Sequence, residues 1–131
     1  MRILVFGGPD YVERGRIWDA LDRLAAGRPI TCIIHGACRA GGTDTYADKW
    51  AQLNSIYREP YPIDHERDGP LPSAEMIRNI RMLTDSNPEG AVGFPSAHAK
   101  PMALLCRRMG LKVWWPYRGD PLKEVKDNGD R

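Results

Sequence analysis

The run Ile30-Thr31-Cys32-Ile33-Ile34-His35-Gly36-Ala37-Cys38-Arg39-Ala40-Gly41-Gly42-Thr43-Asp44 decides the fold. Its first five residues are apolar at every position but one, the pattern of a strand covered on both faces in a parallel sheet. The turn that follows holds Gly36, Gly41 and Gly42, which let the backbone come close to a neighbour. A helical pattern starts near Thr43, and the free N–H groups and positive end of such a helix attract an anion. Strand, glycine-rich turn and helix start therefore predict a phosphate cradle. A second glycine pair ends the first apolar run, in Phe6-Gly7-Gly8-Pro9-Asp10-Tyr11. Two such turns at strand carboxyl ends predict one shared crevice for a nucleotide or a nucleotide derivative.

Length and composition set the frame around this site. A chain of 131 residues with 42% hydrophobic and 27% charged content is expected to form one globular domain, over residues 1–117. Residues 118–131 carry four acidic and four basic side chains with little apolar content and read as a polar, frayed tail. A net charge of +2 gives no overall pull toward a polyanion, so a nucleic-acid partner is not expected. Cys32, Cys38 and Cys106 are an odd count without CxxC spacing, which fits reduced thiols in a cytoplasmic protein. No stretch approaches the ~20 apolar residues of a membrane span, and Met1 to Phe6 reads as a strand and not as a signal peptide.

In chain order, Ile3 to Phe6 is the first strand. Asp10-Tyr11-Val12-Glu13 has capping-box spacing, with Asp10 as the N-cap of a helix whose apolar stripe is Ile17, Leu21, Leu24 and Ala25. Gly27 and Pro29 close that helix. After the Ile30–Ile34 strand, a helix over 43–55 buries Ala47, Trp50, Ala51 and Leu53. Ile56 to Tyr61 reads as a short strand whose Pro60 places it at a sheet edge. Residues 64–72 read as a polar loop. Ser73 caps a helix to about Ser86 with Met76, Ile77, Ile80 and Leu83 inward and Arg78 and Arg81 on another face. Gly90 to Phe94 is a fourth strand, Met102 to Met109 a helix with Leu105, Cys106 and Met109 inward, and Leu111 to Trp115 a fifth strand. Of Trp114 and Trp115, one is expected in the core and the other at an oligomer interface or a ligand base. Strands alternating with helices at this spacing mean an α/β fold with a parallel sheet.

Several residues recur in a familiar order: Gly7-Gly8-Pro9-Asp10-Tyr11, then Ile34-His35-Gly36 with Arg39, Asp44 and Trp50, then Ile77-Arg78-Asn79-Ile80-Arg81-Met82, then Phe94-Pro95. This set resembles the YspA-like branch of the SLOG superfamily, which joins the Smf/DprA proteins with the LOG phosphoribohydrolases and occurs in bacteria and their phages. The resemblance implies a Rossmann-like three-layer sandwich with a five-stranded parallel sheet of order 3-2-1-4-5, and a site for a nucleotide or related phosphorylated ligand. Its relatives often dimerise or assemble further, which implies a homo-oligomer. The chain departs from the pattern in three places. Pro9 stands where the branch usually has Arg, and the turn from His35 to Asp44 is a residue or two longer than usual. The LOG-type Pro-Gly-Gly-x-Gly-Thr turn and its glutamate are replaced by Pro95-Ser96-Ala97-His98-Ala99-Lys100.

Together these readings nominate Gly7, Gly8, Asp10, Tyr11, His35, Gly36, Arg39, Gly41, Gly42, Thr43, Asp44, Arg78, Asn79, Arg81, Pro95 and Ser96 as ligand-binding residues. Arg78 lies in the first turns of its helix, where the dipole disfavours a cation that lacks an anionic partner. His35 reads equally as a structural histidine, and His98 as a substitute acid. His65 among Asp64, Glu66 and Asp68 does not complete a metal cage, so no metal and no cofactor is expected. N-glycosidic cleavage needs an acid or carboxylate at the leaving base or sugar, and the family's is missing. The expectation is therefore a cytoplasmic binding protein, a sensor or sequestering module. Phosphoribohydrolase activity on a nucleoside monophosphate is the alternative, and single-stranded DNA binding a second one.

Overall fold

A computed structural model of the chain describes residues 1–123. Five parallel strands form one sheet of order β3-β2-β1-β4-β5: β1 (Arg2–Phe6), β2 (Cys32–His35), β3 (Tyr57–Pro60), β4 (Gly90–Gly93) and β5 (Val113–Trp114). Five helices connect them: α1 (Arg14–Gly27), α2 (Thr43–Leu53), the single turn α3 (His65–Asp68), α4 (Ser73–Ser86) and α5 (Lys100–Arg108). The expected α/β architecture and strand order are those observed.

Period-2 alternation sorts the strands' side chains into two cores. Ile3, Val5, Ile33 and Val92 join Ile17, Leu21, Ala47 and Trp50 on the α1–α2 face. Leu4, Phe6, Cys32, Ile34 and Ala91 join Met82, Leu83, Met102 and Cys106 on the α4–α5 face. Removing each large aliphatic side chain from water contributes about 1.5–3 kcal/mol, so the helices are held on the sheet chiefly by this burial. Trp114 and Trp115 divide between the two faces. Trp114 packs on the first core under the Arg23 guanidinium, and Trp115 meets Phe6 edge-on at 5.5 Å. Both are half-buried.

The largest departure from the sequence pattern is in α4. Met76, Ile77 and Ile80, the expected inward stripe, are exposed, whereas Ala74, Arg78, Asn79, Met82, Leu83 and Ser86 are buried. The helix is turned so that its mixed polar face meets the sheet and the strand ends. Of the expected stripe only Leu83 is inward. Leu53 and Met109 are likewise exposed instead of inward.

Three local readings also change. Ser73 is the first residue of α4 and not its cap; Pro72 holds that position, with no side-chain cap bond. Asp10 does not cap α1, which begins at Arg14 with no side-chain cap; its carboxylate is drawn across to Ser96. The stretch expected to be a polar loop contains α3, capped by Asp64, whose side chain accepts the Glu66 N–H. Beyond Arg118 the chain still makes contacts: Leu122 packs on the second core, and Gly119 lies so close to Pro95 that a Cβ there would fall 2.7 Å from it. The rest of the expected tail, 124–131, lies outside the described residues. No helix among the described residues is long and apolar enough to cross a membrane.

Candidate functional site

The sheet's strand order reverses between β1 and β4, and the carboxyl ends of an open parallel sheet place ligands at such a switch point. A crevice of about 220 Å³ lies there. The β1 turn contributes Phe6, Gly7, Gly8 and Pro9, and the β2–α2 turn contributes Gly36, Cys38 and Asp44. Helix α4 adds Glu75, Arg78, Asn79 and Met82, and the start of α5 adds His98 and Met102. A second cleft of about 350 Å³ shares Gly36, Cys38, Glu75 and Arg78 with the first and extends to Arg39, Pro62 and His65. The two clefts form one groove with Glu75 and Arg78 on their common rim.

Arg78 organises this groove. Its side chain is only 9% exposed, an uncommon position for a guanidinium. Nη1 donates to the backbone carbonyls of Gly36 and Tyr61, and Nε donates to Asn79 Oδ1 at 2.9 Å. These bonds tie the ends of β2 and β3 to α4 and hold a side chain that would otherwise be an unsatisfied buried charge. Burial lowers its pKa, and the charges of Asp44 and Glu75 oppose that shift. Nη2 makes no hydrogen bond with the described residues, so one arm of the guanidinium remains for a ligand. Gly36 is where the fold needs a missing Cβ: one added there would lie 2.9 Å from Nη1.

The β1 and β4 turns meet across the mouth of the crevice. Ser96 Oγ donates to Asp10 Oδ1 at 2.6 Å and accepts the His98 N–H at 3.0 Å. The Ser96 hydrogen bond is the main cause holding the Asp10 carboxyl below its ordinary range. Gly8 sits under this bridge, and a Cβ there would come within 2.1 Å of Ser96 Oγ. Gly7 similarly leaves room for Thr43 Oγ1.

The β2–α2 turn is largely satisfied by its own neighbours. The backbone N–H and Oγ1 of Thr43 both donate to the Gly8 carbonyl at 3.3 Å. Gly42, with φ of 76°, packs directly on Gly8 and Pro9. Asp44 Oδ2 accepts the Cys38 N–H at 3.1 Å. The first N–H of α2 is thus committed to the β1 turn, and a carboxylate stands in the helix's first turn beside the crevice. Burial raises the Asp44 pKa against the pull of His35, Cys38 and Arg78.

His35 is buried and faces a different hollow. Its Nδ1 accepts the Ala37 N–H at 3.0 Å, so the ring proton resides on Nε2, which donates to Asp48 Oδ1 at 2.8 Å. Asp48 also accepts from Arg58, and these partners outweigh burial to keep its pKa low. The ring lines an open depression of about 590 Å³ beside α2, together with Asp48, Lys49 and Arg58. Both nitrogens are engaged within the protein.

Of the nominated residues, Gly7, Gly8, Gly36, Asp44, Arg78 and Asn79 come together in the crevice, with Asp10 and Ser96 bridging its mouth and Gly42 and Thr43 supporting it. Arg39 is exposed in the adjoining cleft. Gly41 takes a left-handed φ of 94° that shapes the turn. Tyr11 is buried, stacked on Phe94 at 5.3 Å, and lines neither cleft. Pro95 packs against Gly119. Arg81 lies outside both clefts, where it bonds Asp68 at 2.9 Å and covers the Tyr61 ring. The sequence reading did not nominate Phe6, Pro9, Cys38, Glu75, Met82 or Met102. Glu75 was the most accessible omission, since it precedes Arg78 by three positions and so shares its helix face.

The family described as YspA, cpYpsA-related SLOG family (YAcAr) matches residues 1–67, from β1 to α3. Searches of the curated proteins and of the solved structures found no match. With strand order, glycine turns and the crevice at the switch point in agreement with that match over more than half of its length, the chain belongs to the YspA, cpYpsA-related SLOG family.

Proposed function

We propose that the crevice between β1, β2 and α4 binds a nucleotide or nucleotide-derived phosphorylated small molecule, and that the chain acts as a cytoplasmic sensor or sequestering protein. Membership of the SLOG family points to nucleotide-related binding or a glycosylase-like function. The observation that carries the binding reading is Arg78: a buried guanidinium at the strand ends with Nη2 left over after its internal bonds. A phosphate or carboxylate supplies the missing acceptor. Gly7 and Gly8 line the opposite wall of the crevice. Thermal shift against nucleotides, cyclic nucleotides and ADP-ribose tests the reading: a binder at one hundred times its Kd stabilises by about 2.7 kcal/mol. No shift with any of them refutes it. Native mass spectrometry of the purified protein reads a retained ligand and the proposed homo-oligomer together.

A second reading is cleavage of an N-glycosidic bond, favoured by Asp44. This carboxyl lines the crevice and burial raises its pKa, as a proton donor to a leaving base requires. His98 lines the same crevice. Release of free base from AMP, lost in Asp44→Asn, would establish this activity; its absence from the wild type would remove it.

A further inference from the structure

We infer that Asp44 and Glu75 are specificity determinants that restrict the groove to ligands with no more than one phosphate group. This rests on the binding reading above and names the ligand class for that site. Charge is balanced over the two clefts. Their guanidinium groups are Arg78, on the common rim, and Arg39, in the outer cleft. Their carboxylates are Asp44, in the crevice, and Glu75, on the rim beside Arg78. With Asp44 ionised, each guanidinium is matched by a carboxylate, so no surplus remains for the additional charges of a di- or triphosphate.

Part of the usual source of extra phosphate affinity is also committed. The N–H and hydroxyl of Thr43 are spent on the Gly8 carbonyl, and Asp44 occupies the first turn of α2. Among the described residues Arg78 keeps one nitrogen without a partner, enough for one anionic group and too few for a chain of them. In addition, the 220 Å³ crevice is small, and Glu75 is one of the four residues it shares with the outer cleft. A second or third phosphate meets the exposed Glu75 carboxylate at the rim, a like-charge repulsion that salt screens. What the carboxylates accept instead are hydrogen-bond donors, such as ribose hydroxyls or an exocyclic amine. Discrimination here comes from a repulsive element as well as from attraction.

The test is calorimetric titration of the wild type, Glu75→Gln and Asp44→Asn with adenosine, AMP, ADP and ATP, without divalent metal, at two salt concentrations. The wild type is expected to bind AMP at least ~10-fold more tightly than ATP, with the ratio shrinking as salt rises. Glu75→Gln is expected to cut the ratio by about fivefold or more, with Asp44→Asn acting in the same direction. A merely structural role would not alter the salt dependence of that ratio. ATP binding as tight as AMP in the wild type, or a ratio unchanged in Glu75→Gln, overturns the inference and leaves the binding site standing. Failure of all four ligands to bind the folded wild type overturns this inference, and the absence of any thermal shift with cyclic nucleotides and ADP-ribose as well removes the binding reading itself.

Discussion

Arg78→Lys probes the part of the structure on which both fold and site depend. Lysine keeps the charge but replaces a planar fork by a single ammonium. The native guanidinium makes three bonds, to the Gly36 and Tyr61 carbonyls and to Asn79 Oδ1. An ammonium near the Nη1 position retains one of the two carbonyl contacts and loses the bond to Asn79. Hydrogen bonds to charged groups contribute roughly 1.5–3 kcal/mol each, so losing two costs about 3 kcal/mol after water re-enters part of the space. For a domain of this size that is a fall of about 10 °C in Tm, measurable by scanning calorimetry or a urea midpoint. Arg78→Met is expected to be worse, because it also removes the positive charge facing Asp44. A Tm for Arg78→Lys within about 2 °C of wild type would show that Arg78 does not join the strand ends to α4, and the reasoning would fail.

Three further outcomes follow from particular contacts. Ile77→Ala and Ile80→Ala remove exposed side chains and are expected to change stability by less than about 0.5 kcal/mol, whereas Leu83→Ala, on the buried face, should cost about 2–5 kcal/mol; equal losses in urea titrations would mean that α4 is turned the other way. Burial holds the Asp44 carboxyl above its ordinary range, so the folded state binds that proton more tightly than the unfolded chain does. Its contribution to stability is full below the unfolded pKa and is lost as pH rises through the folded one. The Tm of Asp44→Asn relative to wild type should therefore become more positive from about pH 4 to about pH 7, and a constant difference would contradict the assignment. Gly8→Ala places a Cβ within 2.1 Å of Ser96 Oγ and should lower Tm, with partial recovery in the double variant Gly8→Ala/Ser96→Ala; additive losses would deny the contact.

The fold was legible because its signals are local. Continuous apolar runs mark strands buried on both faces, and glycines punctuate their carboxyl ends, so five strands and their helices could be read directly from residues such as Ile3–Phe6 and Ile33–Ile34. The strand order came with the family resemblance. Periodicity failed at α4 for a physical reason. It ranks Met76, Ile77 and Ile80 above Arg78 and Asn79, yet Arg78 reaches carbonyls 42 and 17 residues away that no local pattern contains. Bonding those acceptors, with Met82 and Leu83 on the same face, turns the helix against its apolar stripe. Asp10 is similar: its spacing matches a capping box, but its partner is Ser96, 86 residues on. The glycine turns line the crevice, and at the start of α2 the Thr43 N–H and hydroxyl go to the Gly8 carbonyl while Asp44 accepts the Cys38 N–H. Only the folded chain brings those groups together.

The most direct measurement of the central claim is an amide ¹H–¹⁵N correlation spectrum of the protein titrated with AMP to about 1 mM, a concentration that detects even weak complexes. The account predicts that the amides of Gly7, Gly8, Gly36, Cys38, Asn79 and His98 shift together and saturably, while those of Gly27, Leu111 and Val113, remote from the crevice, stay in place. A spectrum that does not change, or shifts confined to residues away from the strand carboxyl ends, would contradict it.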